Sequence, residues 1–334
     1  MRNFIFTAML VGAGFAAQAQ AQAQAQAPDQ DAASFPIRPI RFVLISAAGS
    51  GGDTLARLLA ERMGTLLRGS FFIENRPGAG GAIAVDAVAK SRPDGYTITL
   101  GGATTHVLLP ASNTRLPYNA IKDFAAVGQV GTAAILLVAN KDLPANNLKE
   151  LVALAKKTRV GLDYASWGNG STGHFCGELL NLKTQAGMIH IPYKSVSQSL
   201  TDLMGNQIKL AYVDMASGTP FVKAGRIKAI STCTSRSPSL PDVASYEEEG
   251  INFSGKRMGA FRWAMYAPAK TPKPIVDKLA AALKATVEMP DIKARLLELG
   301  ISPGFVPGPQ LTEMTAKDIE IWKQVAKEAH ITND

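Results

Sequence analysis

Short apolar runs alternate with longer runs of helical period along most of the chain. Residues 40–46 form an unbroken apolar run of strand length. Leu55, Leu58, Leu59, Met63 and Leu66 are spaced along one face of a helix over 54–67, with Asp53 placed as its N-cap. A strand at 71–74, a helix at 82–90, a turn at Pro93-Asp94-Gly95 and a strand at 96–100 follow. Strand, helix, strand, helix, strand predicts a parallel doubly wound sheet whose ligand end lies at the carboxyl edges of the strands.

Residues 104–123 are polar and Pro-containing and read as a loop, and 133–139 as a strand crossing into a second lobe. The alternation then restarts: helix 148–157, strand 161–165, helix 174–184, strand 188–191, helix 196–204, strand 208–213, a short helix at 219–223, strand 227–232 and a short helix ending at 249. Residues 261–267 read as the return crossing. The segment from 272 to about 329 is helix-rich, broken at Pro290, near Gly300 and at Pro307-Gly308-Pro309. Two α/β lobes joined by two strand-like crossings make a hinged clamp. The expected division is lobe 1 at 35–138 plus 257–334, and lobe 2 at 139–256.

Three of the strand-to-helix turns are Gly-rich: Ala48-Gly49-Ser50-Gly51-Gly52-Asp53, Arg76-Pro77-Gly78-Ala79-Gly80-Gly81 and Trp167-Gly168-Asn169-Gly170-Ser171-Thr172-Gly173. Such turns let backbone N–H groups gather around an anion at a helix N-terminus. A few charge-assisted hydrogen bonds of about 1.5–3 kcal/mol each reach the ~8 kcal/mol of micromolar binding without a cationic side chain in the pocket. The leader changes where such a clamp would work. Arg2, an apolar stretch over 4–17 and an Ala-x-Ala pattern at Ala17-Gln18-Ala19 mark residues 1–27 as an export signal, with cleavage expected within the Ala-Gln repeat at 17–27. No later run reaches the roughly 18 apolar residues of a spanning helix. A soluble, periplasmic mature chain is expected.

The net charge of +8 is interspersed rather than clustered, and no basic run carries interleaved aromatics, which argues against nucleic-acid binding. Cys176 and Cys233 are the only cysteines, with no CxxC, so neither a zinc site nor a redox motif is supported. In an oxidising compartment they could pair, although two small buried thiols is the favoured reading. Gly168, Gly170 and Gly173 match G-x-G-x-x-G formally, but the acidic residue that confirms a dinucleotide site is missing after the next strand, where Lys194 stands. A Ser–His hydrolase using Ser50 or Ser171 with His174 is the alternative from another class, and it lacks an orienting acid at a known spacing. No metal and no cofactor are expected.

Several segments together carry a resemblance. Glu74-Asn75-Arg76-Pro77-Gly78-Ala79-Gly80-Gly81, Pro93-Asp94-Gly95-Tyr96, Leu116-Pro117-Tyr118 with Lys122-Asp123-Phe124, His190-Ile191-Pro192-Tyr193-Lys194 and Leu240-Pro241-Asp242-Val243 occur in order along the chain. The chain resembles the substrate-binding proteins of tripartite tricarboxylate transporters, also called the Bug receptors. The resemblance implies a two-lobed periplasmic binding protein of type II, or Venus-flytrap, form with two crossover strands. Such a protein captures a small carboxylate and presents it to the membrane subunits of its transporter, as a monomer and without catalysis. A ligand sensor acting through a signalling partner is the neighbouring alternative.

Carried over by position, the resemblance assigns ligand contacts to the first loop at Ser46, Ala48, Gly49, Ser50, Gly51 and Asp53, and to Gly78 in the second. It assigns Ser166, Asn169, Gly170, Ser171 and Thr172 in the third, with Thr104, Thr105 and Asp214 facing the cleft and Asp214 meeting a ligand amine. Relatives carry an aromatic residue between prolines in the first loop, where this chain has Ile45, Ser46 and Ala48. The aromatic wall is therefore expected to be missing, and the pocket to be more polar and suited to a larger or more polar acid.

Overall fold

The computed structural model of the chain describes residues 33–233, 235–251 and 261–331, and the leader read at 1–27 lies outside them. The compact unit that carries every element below begins at Pro36. Its first sheet opens as the apolar runs require: β1 (Ile40–Leu44) lies between β2 (Phe71–Asn75) and β3 (Thr97–Gly102), all parallel, with α1 (Gly51–Leu67) and α2 (Ala82–Ala89) as crossovers. Helix α1 starts earlier than its apolar spacing suggests. Its N-cap is Ser50, whose hydroxyl accepts from the Asp53 N–H, so Asp53 sits inside the first turn rather than capping it.

Three more strands make this sheet mixed rather than wholly parallel. β10 (Phe261–Pro268) runs antiparallel to β3, β4 (Phe124–Ala133) antiparallel to β10, and β11 (Ile301–Pro307) antiparallel to β4, giving the order β11-β4-β10-β3-β1-β2. β4 is Gly- and Ala-rich and carries little strand signal of its own. Tertiary packing selects it, because a Cβ at Gly128 would stand 2.6 Å from the Phe305 ring and one at Gly131 would stand 2.5 Å from the Ser302 carbonyl. β11 contains Pro303 and Pro307, which an edge strand tolerates because one row of its backbone groups needs no partner.

The expected loop at 104–123 begins instead with a π-helical turn, Thr104–Leu108, running into α3 (Leu109–Ser112), both packed against α10 (Gly308–Glu328). Helices α8 (Lys273–Glu288) and α9 (Pro290–Glu298) complete this half.

The second sheet has the order β7-β6-β8-β5-β9. Its strands are β5 (Ile135–Asn140), β6 (Asp163–Ser166), β7 (Ile189–Pro192), β8 (Leu210–Asp214) and β9 (Ile227–Thr232), flanked by α4 (Leu148–Lys157), α5 (Thr172–Thr184), α6 (Val196–Met204) and α7 (Met215–Lys223). β6 pairs parallel with β7 and β8, whereas β5 runs antiparallel to β8 and β9. Residues 241–250 form turns in place of the expected short helix. The chain passes from β4 to β5 through the single residue Ala134, ahead of the boundary expected after residue 138.

Cys176 on α5 and Cys233 just after β9 form a disulfide, with Cα atoms 5.8 Å apart and a sequence separation of 57. This corrects the preference for two free thiols, because the fold brings two distant, fully buried cysteines to bonding distance. A loop of this length corresponds to a stabilisation of about 4 kcal/mol in the chain-entropy description. We expect iodoacetamide to label none of the unfolded, unreduced protein. Cys176→Ser is expected to lower the urea midpoint as much as reductant lowers that of the parent, and equal midpoints with and without reductant would contradict the bond.

Candidate functional site

The carboxyl ends of β1, β2, β6 and β8 converge on one cavity of about 50 Å³ between the two sheets' loops. Ile45, Ser46, Ala47 and Ser50 of the first Gly loop border it, with Gly78, Gly80 and Gly81 of the second. Trp167 enters from the third loop, Lys194, Ser195 and Val196 from the connection between β7 and α6, Asp214 from the end of β8, and Phe261 and Trp263 from β10. Of the residues assigned from the sequence, Ser46, Ser50, Gly78 and Asp214 therefore reach this space.

The others lie beside or behind it. Ala48, Gly49 and Asn169 are exposed on their loops. Asp53 accepts from the Gly49 N–H at 3.0 Å, from Arg57 at 2.9 Å and from Asn75 at 3.0 Å. Burial works to raise its carboxyl, but those hydrogen bonds outweigh it and hold the group below the ordinary carboxylate range. Its task is to brace the first loop. Thr105 is fully buried, with its hydroxyl at the Gly102 N–H and 2.9 Å from His106 Nδ1.

The start of α1 is closed by the opposite half of the molecule. The Gly51 N–H donates to the Ser217 hydroxyl at 3.1 Å, and a Cβ at Gly51 would stand 2.4 Å from Asp214 Oδ1. Only glycine permits that approach. The start of α5 is closed in the same way, since the Thr172 N–H donates to Thr104 Oγ1 at 3.3 Å, the Trp167 indole donates to the same oxygen at 3.4 Å, and the two threonine hydroxyls are 2.9 Å apart. Gly168, at φ +123°, packs against Gly80, where an added Cβ would come within 2.9 Å of the Gly80 nitrogen. Asp214 caps α7, accepting from the Ser217 N–H at 2.9 Å and the Ser217 hydroxyl at 2.8 Å. Burial raises its carboxyl against the pull of these bonds.

Behind the third loop two imidazoles stack. The His174 and His190 rings lie 4.0 Å apart and within 14° of parallel. His174 Nδ1 accepts from the Gly170 N–H at 3.1 Å, and His190 Nε2 is 2.7 Å from the Ser166 hydroxyl, which also contacts Ser171. The Gly170 amide is thus engaged by an imidazole. Tyr164, tilted against His190, donates to Glu178 at 2.6 Å. Burial pushes His174 down to about 4 and His190 down to about 3, the latter helped by its neighbour. His106, fully buried and stacked on Tyr266 at 3.7 Å, is likewise held down at about 3 by burial.

Two expectations about the wall change. Trp167, Phe261 and Trp263 supply aromatic rings from the third loop and β10, edge to face with centroids 6.4 and 4.8 Å apart, so the wall is present although the first loop lacks it. A cation also borders the cavity. Lys194 is exposed and makes no ion pair among the described residues. Trp167 lay within the Gly loop and Lys194 within a quoted motif, yet no local pattern tied either to a cavity. Phe261 and Trp263 alternate with Arg262 along β10, which pairs with Asp318 on α10. That alternation of inward and outward residues is the signal that would have found them. Among the described residues no cluster of His, Cys, Asp and Glu is fit to hold a metal ion, and no helix is long and apolar enough to cross a membrane.

Residues 55–331 match the family described as tripartite tricarboxylate transporter family receptor. Three solved structures are similar over nearly their full length. The periplasmic binding protein BugD is 31% identical, with a TM-score of 0.83 over 89% of this chain and 99% of its own. Rhodopseudomonas palustris Rpa4515, solved with adipate, is 29% identical, with a TM-score of 0.84 over 89% and 99%. MatC (Rpa3494) from the same organism, solved with malate, is 32% identical, with a TM-score of 0.79 over 87% and 99%.

The buried imidazoles have a consequence in acid. Unfolded histidines titrate near 6.5, so between that value and about 4 the unfolded chain binds protons that the folded chain refuses. Stability from these groups is complete above about pH 6.5 and falls as the pH drops below it. We expect the urea midpoint to decrease steadily from pH 7 to 4.5, and to decrease less in His190→Gln. A His190→Gln variant as acid-sensitive as the parent would contradict the assignment.

Proposed function

Since the chain belongs to the tripartite tricarboxylate transporter receptor family, we propose that it works as an exported receptor that closes two lobes on a small organic carboxylate and presents it to the membrane subunits of a transporter. The observation that carries the reading is the position of the cavity, bounded by loops of both sheets and flanked by the cross-lobe bonds Gly51 to Ser217 and Thr172 to Thr104. A ligand held there touches both lobes, so it stabilises the closed arrangement over an open one by its differential contacts. The adipate and malate held by two similar receptors fit the same chemistry. The leader read at 1–27 supports a periplasmic location.

Binding rather than catalysis accounts for the polar groups. Ser50 donates to the Ala47 carbonyl at 2.7 Å and caps α1, while Ser171 donates to Ser166 and caps α5. His174 Nδ1 accepts from the Gly170 N–H, and neither Ser50 nor Ser171 donates its hydroxyl to the His174 ring. The serine that does meet an imidazole, Ser166, is fully buried.

A thermal-shift panel of mono-, di- and tricarboxylates tests the proposal. Ligand at about a hundredfold over Kd stabilises the native state by about 2.7 kcal/mol, which for a chain of this size raises Tm by roughly 5 °C. The radius of gyration should fall on saturation. No shift with any acid would overturn the reading.

A further inference from the structure

We propose that the end of the second lobe opposite the cavity is a docking surface for an anionic phospholipid membrane. The inference goes beyond the receptor reading and takes from it only the exported setting, beside the membrane that holds the transporter.

The topology assembles this surface. β6, β7 and β8 run parallel with their carboxyl ends toward the cavity, so their amino ends mark the opposite edge of the sheet. The chain reaches β6 through a turn at 158–161 that follows the last turn of α4, and it reaches β7 from the last turn of α5. Two contacts bring these approaches together. Asn181 on α5 bonds both the N–H and the carbonyl of Met188 at 2.9 Å, and a Cβ at Gly161 would stand 3.3 Å from the Ile189 side chain. Lys141, after β5, and Arg226, before β9, lie at the same edge, since β5 runs antiparallel to β8 and β9.

The charge there is positive and unspent. Lys156 and Lys157 of α4, Arg159 in the turn and Lys183 of α5 are exposed, and none makes an ion pair among the described residues. Of the acids at these strand ends, Asp142 is exposed and Asp163 accepts from the Lys209 N–H at 2.6 Å. The matching end of the first sheet differs, because Arg38 pairs there with Asp94 and Arg41 with Glu74. Each basic group near an anionic bilayer strengthens binding about fivefold, so four together strengthen it several hundredfold at low salt.

Apolar side chains stand among these cations. Val160, next to Arg159, is 80% exposed, Ile189 47% and Leu182 45%. A single exposed apolar residue is ordinary, whereas apolar residues clustered with free cations mark a contact surface. At a bilayer the long basic stems reach the phosphates, and Val160 at the turn enters the boundary below them. That combination favours a lipid surface over an acidic polypeptide, which the cations alone would serve. Docking at this end leaves the cleft uncovered, so the receptor is held near the membrane subunits without blocking exchange of its ligand.

Co-flotation of the mature protein with vesicles tests the inference. Vesicles of equimolar phosphatidylglycerol and phosphatidylcholine are expected to take up the protein about tenfold or more over phosphatidylcholine alone, and salt is expected to abolish the difference. Combining Lys156→Gln, Lys157→Gln and Arg159→Gln should reduce the uptake about tenfold or more. Val160→Ser should reduce it roughly threefold at unchanged charge. The charge-matched control Lys270→Gln, Lys293→Gln and Lys317→Gln, all exposed on the first lobe, should leave most of it. The substituted side chains are exposed, and an unchanged urea midpoint in each variant checks the fold. Equal uptake by both kinds of vesicle, or an equal loss in the control, overturns the inference. So does binding to poly-glutamate without binding to vesicles, which would assign the surface to an acidic protein. A thermal-shift panel of carboxylates on the same samples keeps the two readings apart. Carboxylate binding without vesicle uptake defeats only the docking surface, and vesicle uptake without carboxylate binding defeats only the receptor.

Discussion

Each of two helices that begin at a Gly-rich loop is finished by a hydroxyl from the other half of the molecule. The first amides of a helix have no partner within it and must find one elsewhere. In α1 the Gly51 amide finds Ser217, and in α5 the Thr172 amide finds Thr104. The rest of the architecture follows from this exchange. It requires glycine at 51, because Asp214 presses against that position, and glycine at 168, because Gly80 does. It turns the carboxyl edges of the two sheets toward each other and leaves between them the small cavity lined by Lys194 and the three rings.

The exchange also reinterprets the Gly loops. As a sequence motif a Gly-rich turn before a helix signals an anion nest, and three of them suggest a carboxylate held largely by backbone amides. The folded chain uses several of those amides to hold its own parts together. Cohesion between the lobes draws on the Gly51 and Thr172 amides, while the Gly78 and Gly80 loop still borders the cavity. Behind the third loop the His174 and His190 stack, the Ser166 hydroxyl and the Tyr164–Glu178 bond keep the loop in one shape, and the Cys176–Cys233 bond ties its helix to the end of β9.

Much of this was legible from residues alone, where local pattern and tertiary role agree. The β1–β2–β3 unit and most of the strand-helix alternation of the second lobe follow from spacing, and the family motifs from resemblance. The failures share a cause. β4 is chosen by what packs on its glycines, β11 by its place at a sheet edge, and the helical turn at 104–112 by burial against α10, none of which a local window contains. The aromatic wall escaped for the same reason. Its rings come from positions 167, 261 and 263, which only the folded chain brings together. Asp53 looked like a cap because of its type and place, but Ser50, three positions earlier, holds that role and leaves the carboxylate to Arg57, Asn75 and Gly49.

The passage from β4 to β5 through Ala134 alone has a mechanical consequence. Strands on either side are fastened into different sheets, so the backbone freedom of this crossing is concentrated in the two soft dihedrals of one residue. A rotation of about 10° at such a pivot carries a group about 20 Å away through roughly 3.5 Å, more than the length of a hydrogen bond. A turn of that size would exceed the reach of the 3.1 Å bond at Gly51 and the 3.3 Å bond at Thr172. Opening at this pivot would cost both cross-lobe bonds at once, so the crossing couples the two helix starts mechanically.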